Sequence, residues 1–192
     1  MRQDIDIRTT WNEAAKSGLL LGLFTGVFIY AGMLTGALAS GGFGSRLAGS
    51  LINVVLWLAK FVGCLWLLRF FMLKFAGKYP ELTARSSFRF GRLTALTSAI
   101  IVAGLNLINM TIVSPESVSQ LIDVYMQTYS ATMPLSDSDQ VSLERVMTYL
   151  PHISFFVTLF YCFIYGTVAA RIFSSSIPPR DVFGDVEDRQ DD

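Results

Sequence analysis

Apolar positions along this chain are gathered into four long runs, at 18–38, 51–71, 93–113 and 153–170, with polar and charged residues confined largely to the segments between and around them. A helix rising 1.5 Å per residue crosses about 30 Å of hydrocarbon in some twenty residues, so each run predicts a membrane-spanning helix. The fourth is the shortest and gains length if the helix begins earlier, through Pro151, with a kink. Thr10 and Glu13 at T-x-x-E spacing predict a capping box that starts the first helix, with Trp11 as an interfacial anchor.

The connection at 114–152 is the long one. Ser114 and Pro115 read as an N-cap and first-turn pair, and Val118, Leu121, Ile122, Tyr125 and Tyr129 then recur on one helical face. Pro134 breaks the run, and Ser136 with Asp139 starts a second helix carrying Val146, Met147 and Leu150. These two amphipathic helices are expected to lie on the outer surface or lid the bundle, or to offer a partner-binding face. The fold class expected is therefore all-α: a polytopic membrane protein, with four transmembrane helices and a helical external loop between spans three and four. It divides into an N-terminal flank (1–17), a membrane domain (18–171) and an acidic tail (172–192).

Composition agrees. Only 16% of residues are charged against 52% apolar, whereas a soluble domain carries about a quarter charged. "ALAS" at 37–40 resembles a signal cleavage site, but Asp4, Asp6 and Glu13 suit a signal peptide poorly, so the first run reads as a retained span.

The cations set an orientation. Arg2, Arg8 and Lys16 precede span one; Arg69, Lys74, Lys78, Arg85, Arg89 and Arg92 separate spans two and three; Arg171, Arg180 and Arg189 follow span four. The other two connections hold only Arg46 and Arg145. The positive-inside rule then places both termini and the middle loop in the cytoplasm.

Small residues at four-residue spacing predict close helix packing. Gly18, Gly22 and Gly26 form one ladder, and Gly91, Ala95, Ala99 and Ala103 form another. Spans one and three run the same way, so the two ladders are expected to face each other at matching depths. The alternative is that each ladder serves a different neighbour.

Lys60 sits near the middle of span two, about 14 Å from its outer end, too deep for its side chain to snorkel out. None of the 15 acidic residues lies in any span. Asn53, Asn106 and Asn109 are the expected polar company at mid-depth, with Tyr161 and Tyr165. Three readings stay open: Lys60 hydrogen-bonded inside the bundle, Lys60 paired with a carboxylate from another subunit, or Lys60 meeting an anionic substrate or relaying protons.

The middle segment mixes the six cations Arg69, Lys74, Lys78, Arg85, Arg89 and Arg92 with five phenylalanines, which suits anionic lipid or a docked partner. The closing "DVFGDVEDRQDD" has six acids and one arginine and reads as a solvated block. Cys64 and Cys162 read as small buried apolar side chains without metal spacing, and His152 as a hydrogen-bonding residue. No cofactor, metal or nucleic acid is expected. With one histidine and no Gly-rich phosphate loop, the residues for an enzyme site are lacking.

The pattern resembles a bacterial membrane family known as domain of unknown function 4199. The likeness rests on "WNEAAKSGLLLGL", the basic loop leading to "FRFGRLTALTSAI", "IVSPESVSQLIDVY" and "YGTVAARIF". It implies four helices and a home in the bacterial inner membrane, and a lipid-linked glycosyltransferase as a neighbouring partner; it carries no established activity. The expected function is a small accessory or scaffold subunit in contact with membrane lipids and a protein partner, or with further copies of itself. The alternative is a small oligomeric transporter or lipid-translocating protein.

Overall fold

Each apolar run forms one long helix, because in a stretch that meets hydrocarbon only intrahelical bonds satisfy the backbone. In the computed structural model these are α1 (Ile7–Leu38), α2 (Phe43–Lys78), α3 (Ala84–Ile108) and α4 (Leu150–Ser176). The structure describes residues 6–38, 43–79, 83–116, 124, 127–128, 145 and 148–177. All four helices are long and apolar enough to cross a membrane, and there is no strand among the described residues. Most of the loop at 114–152, with its two expected helices, and the tail beyond 177 lie outside the described residues.

The helix ends differ from expectation in instructive ways. Asp6, not Thr10, caps α1: its Oδ1 accepts from the Arg8 amide at 3.3 Å, the geometry of an N-cap carboxylate. Thr10 lies inside the first turn and donates to the Asp6 carbonyl at 3.2 Å. Glu13 turns away to Lys78, so the T-x-x-E pair is not a capping box. Thr83 caps α3, accepting from the Ser86 amide at 3.2 Å. Pro151 sits in the first turn of α4, where its missing N–H has no helical partner to lose, and no kink is required. At its far end α3 widens into a π-helical turn, Asn109–Val113, closed by the Ser114 amide donating to the Asn109 carbonyl at 2.9 Å.

Adjacent helices alternate in direction. Glu13 meets Lys78 and Thr25 meets Cys64 across the antiparallel α1–α2 pair. Asn106 meets Ser154 and Thr158 across the antiparallel α3–α4 pair. Gly18, Gly22 and Gly26 advance in step with Thr97, Ile101 and Leu105, so α1 and α3 are parallel. The N-terminal ends of α1 and α3 and the C-terminal ends of α2 and α4 thus share one end of the bundle. Arg8, Lys16, Lys74, Lys78, Arg85, Arg89 and Arg171 gather toward that end.

Helix α3 is the hub, and the two small-residue ladders serve different sides of it. The α1 glycines do pack on α3, but on the row Thr94, Thr97, Ser98, Ile101 and Leu105. The α3 ladder faces the other way: Gly91 abuts Ala170 and Ala95 abuts Gly166, both on α4. The expected ladder-to-ladder pairing is therefore corrected. A central helix with two close neighbours needs two smooth stripes, and giving both ladders to one interface would leave α4 nothing to approach.

Helix α2 is held mainly at the charged end. Leu68, Phe71, Met72 and Phe75 are buried there, and Phe75 stacks on Phe90 with ring centroids 4.1 Å apart and planes 4° from parallel. Toward its other end Leu51, Val55, Trp57 and Val62 are all exposed. That half of α2 stands off the bundle and presents apolar surface on most of its circumference.

Candidate functional site

The standing-off of α2 opens a cavity of about 120 Å³ at mid-depth, walled by all four helices. Helix α2 contributes Trp57, Lys60, Phe61 and Cys64, and α4 contributes Tyr161, Cys162, Tyr165 and Gly166. Helix α1 supplies Leu21 and Thr25, and α3 supplies Ala95, Ser98 and Val102. The small residues keep the back wall thin: a side chain at Gly166 would meet the Ala95 Cβ at 2.6 Å. Lys60 is half-buried at this cavity, which is where a long cation on a stand-off helix goes when it turns away from lipid.

Thr25 and Cys64 lock together the α1 and α2 sides of the wall. The Thr25 hydroxyl donates to the Leu21 carbonyl at 2.9 Å, so at the 3.2 Å contact with Cys64 the thiol is the donor. Opposite stands an aromatic wall: Phe61 contacts Tyr165 at 5.2 Å, and Tyr165 stacks on Tyr161 at 6.4 Å. The Tyr165 hydroxyl is buried without a hydrogen-bond partner. No carboxylate among the described residues lies within ion-pair distance of Lys60.

The expected amides are not at this site. Asn106 is a clamp between helices, donating to Ser154 at 3.0 Å and Thr158 at 3.3 Å on α4. Asn109 lies in the π-helical turn with its side-chain oxygen buried and unpartnered, and Asn53 is on the exposed half of α2. None of the three lines the cavity. Tyr161 and Tyr165 do, and so do Thr25, Ser98, Cys64 and Cys162, which hydropathy gives no reason to single out.

Of the middle-loop cations, Arg69, Lys74, Arg85 and Arg92 are exposed and Arg89 is half-buried. Lys78 donates to Glu13 at 2.6 Å, the one ion pair among the described residues. Both belong to the charged flank beyond the 18–38 and 51–71 spans, and the Lys78 hydrogen bond holds the Glu13 carboxyl below its ordinary range.

Chemically, the cavity gathers donors in an apolar frame: the Lys60 amine, the unpartnered Tyr165 phenol and the Cys162 thiol, the Cys64 thiol being committed to Thr25. Among the described residues it has no carboxylate or imidazole to act as a base, and no group of three His, Cys, Asp or Glu residues is placed to hold a metal. Such a set of donors favours a negative or strongly accepting group. Comparison with protein-family models, with curated proteins and with solved structures finds no match.

Proposed function

We propose that this chain is an accessory subunit of the bacterial inner membrane, both termini cytoplasmic, whose α2–α4 side receives a transmembrane helix of a protein partner. That helix carries a carboxylate, which pairs with Lys60. One observation carries the reading: a lysine at mid-span faces a cavity with donors around it and no carboxylate within reach among the described residues. An unpaired charge at that depth costs about 3 kcal/mol even by insertion scales. A partner's acid offsets that cost only when the complex forms, so the lysine makes membrane assembly conditional on the right partner. The exposed apolar half of α2, with Leu51, Val55, Trp57 and Val62, supplies the surface against which such a helix packs. The orientation is supported by the collection of cations at one end of the bundle. A glycosyltransferase acting on lipid-linked sugars fits as the partner on the family resemblance.

The runner-up is an oligomeric transporter or lipid-translocating protein, favoured by Lys60 lining an internal cavity rather than an already closed helix contact. Purification from native membranes separates the two. A stoichiometric partner, lost in Lys60→Met while the variant keeps its helical content and melting behaviour, supports the subunit. A self-assembly without partner, unaffected by Lys60→Met, refutes it.

A further inference from the structure

A second cavity, of about 340 Å³, opens between α1 and α2 at the charged end of the bundle. Its two walls have the same design. Helix α1 presents Glu13, Lys16, Ser17 and Leu20, and α2 presents Phe71, Lys74, Phe75 and Lys78. Each set has the i, i+3, i+4, i+7 spacing that aligns side chains on one helical face. Because the helices are antiparallel, the sets run in register: Glu13 with Lys78 at the mouth, and Leu20 beside Phe71 about 10 Å deeper. Phe90 of α3 closes the floor against Phe75.

The charge in this cavity is unbalanced. Three ammonium groups share it with a single carboxylate, and Glu13 is already committed to Lys78 at 2.6 Å. Lys16 and Lys74 are left facing each other's side of the cleft, both exposed, with no carboxylate within ion-pair distance among the described residues. Ser17 adds a hydroxyl to the lining. Below them the lining turns apolar, and Leu20 is 56% exposed on the outer side of the cleft. The cavity thus passes from doubly positive to oily within two helical turns, the same order of charge and oil as in a phospholipid.

We propose that this cleft is a binding site for an anionic phospholipid, with Lys16, Lys74 and Ser17 on the phosphodiester and an acyl chain leaving over Leu20 and Phe71. A polypeptide acid fits less well, because the gradient from charge to oil follows a single amphiphile's axis. The site is distinct from the Lys60 cavity, which lies deeper, and its occupancy does not depend on any protein partner.

The test is native mass spectrometry of the full chain in detergent, titrated with phosphatidylglycerol or with phosphatidylcholine. The wild type should retain one phosphatidylglycerol more tightly than phosphatidylcholine. At about five-fold for each lysine, Lys16→Gln/Lys74→Gln should weaken phosphatidylglycerol binding about thirty-fold and leave phosphatidylcholine unchanged. Arg8→Gln/Arg171→Gln removes the same charge from exposed positions outside the cleft and should change binding little. Leu20→Asn should loosen the lipid while sparing the charge, and excess inorganic phosphate should not displace it. Equal retention of the two lipids by the wild type overturns the proposal. So does equal loss in the two double variants, which would mean diffuse attraction, or displacement by inorganic phosphate, which would mean a free-phosphate site. If the lysine double variant does not accumulate, Lys16→Gln alone, on an exposed side chain, should still weaken phosphatidylglycerol binding about five-fold, and unchanged binding overturns the proposal equally.

Discussion

Replacing glycine by alanine along α1 should produce a graded loss of stability, set by what the new methyl group meets on α3. At Gly18 the added Cβ would lie 2.6 Å from the Thr97 Cβ and 2.8 Å from the Thr94 carbonyl oxygen, against 3.4 Å for the shortest ordinary contact. The carbonyl is helix backbone and cannot rotate away, so the two helices must separate by about 0.6 Å or more. At Gly22 the obstacles are the Ile101 Cβ and Cγ2, at 2.8 and 2.9 Å. A β-branched side chain in a helix has essentially one rotamer, so it yields only by a backbone shift. At Gly26 the obstacle is the tip of Leu105, at 2.5 Å, which a rotamer change removes. Gly104 has nothing within 4 Å and serves as the control.

Overpacking costs about 1–3 kcal/mol, and alanine returns about 1 kcal/mol through helix propensity. Gly18→Ala should therefore lose about 2 kcal/mol, Gly22→Ala about 1 kcal/mol, and Gly26→Ala close to nothing, while Gly104→Ala gains up to about 1 kcal/mol. Unfolding by SDS titration in mixed micelles, followed by circular dichroism, reads these differences directly. If Gly18→Ala proves as stable as Gly104→Ala, the close α1–α3 contact is wrong.

Two other contacts and the topology give outcomes of their own. Asn106→Leu removes both hydrogen bonds to α4 and should destabilise by about 1 kcal/mol in the same titration, a modest figure because unfolded helices in micelles find other partners; an unchanged midpoint would deny the clamp. Glu13→Gln should melt below wild type at neutral pH. Because the folded carboxyl is held below its ordinary value of 4.5, the advantage is present above that value and is lost as pH falls through the lower folded one, so the two curves should converge in acid; a gap that widens there reverses the sign. Reporters fused after Lys78 and after Ser176 should both be active in the cytoplasm, and activity at only one of them contradicts the shared end of α2 and α4.

Much of the architecture is legible in the residues alone. The length and apolarity of four runs force helices, since backbone amides in hydrocarbon have no other partners. Lys60 stands out for the same reason: a charge is conspicuous where nothing else is polar. The companions of Lys60 are not legible. Helix α2 is apolar nearly all round, so no periodicity says which way Lys60 turns, and depth alone makes Asn106 and Asn109 look as suitable as Tyr165. Only the rotation of each helix about its axis sends Asn106 to Ser154 and brings Thr25, Ser98 and two cysteines to the cavity.

The ladders divide along the same line. Small residues at every fourth position dictate that two backbones come close, but not which two, because a glycine stripe is equally smooth to any neighbour. Likewise T-x-x-E before an apolar run fits a cap or a turn within the helix, and the carboxylate of Asp6 four residues earlier decides between them by starting the helix first. Local hydrogen bonding and transfer free energy settle what each segment becomes. Which side chains meet depends on how four such cylinders turn and tilt against one another, and that is fixed only by all their contacts at once.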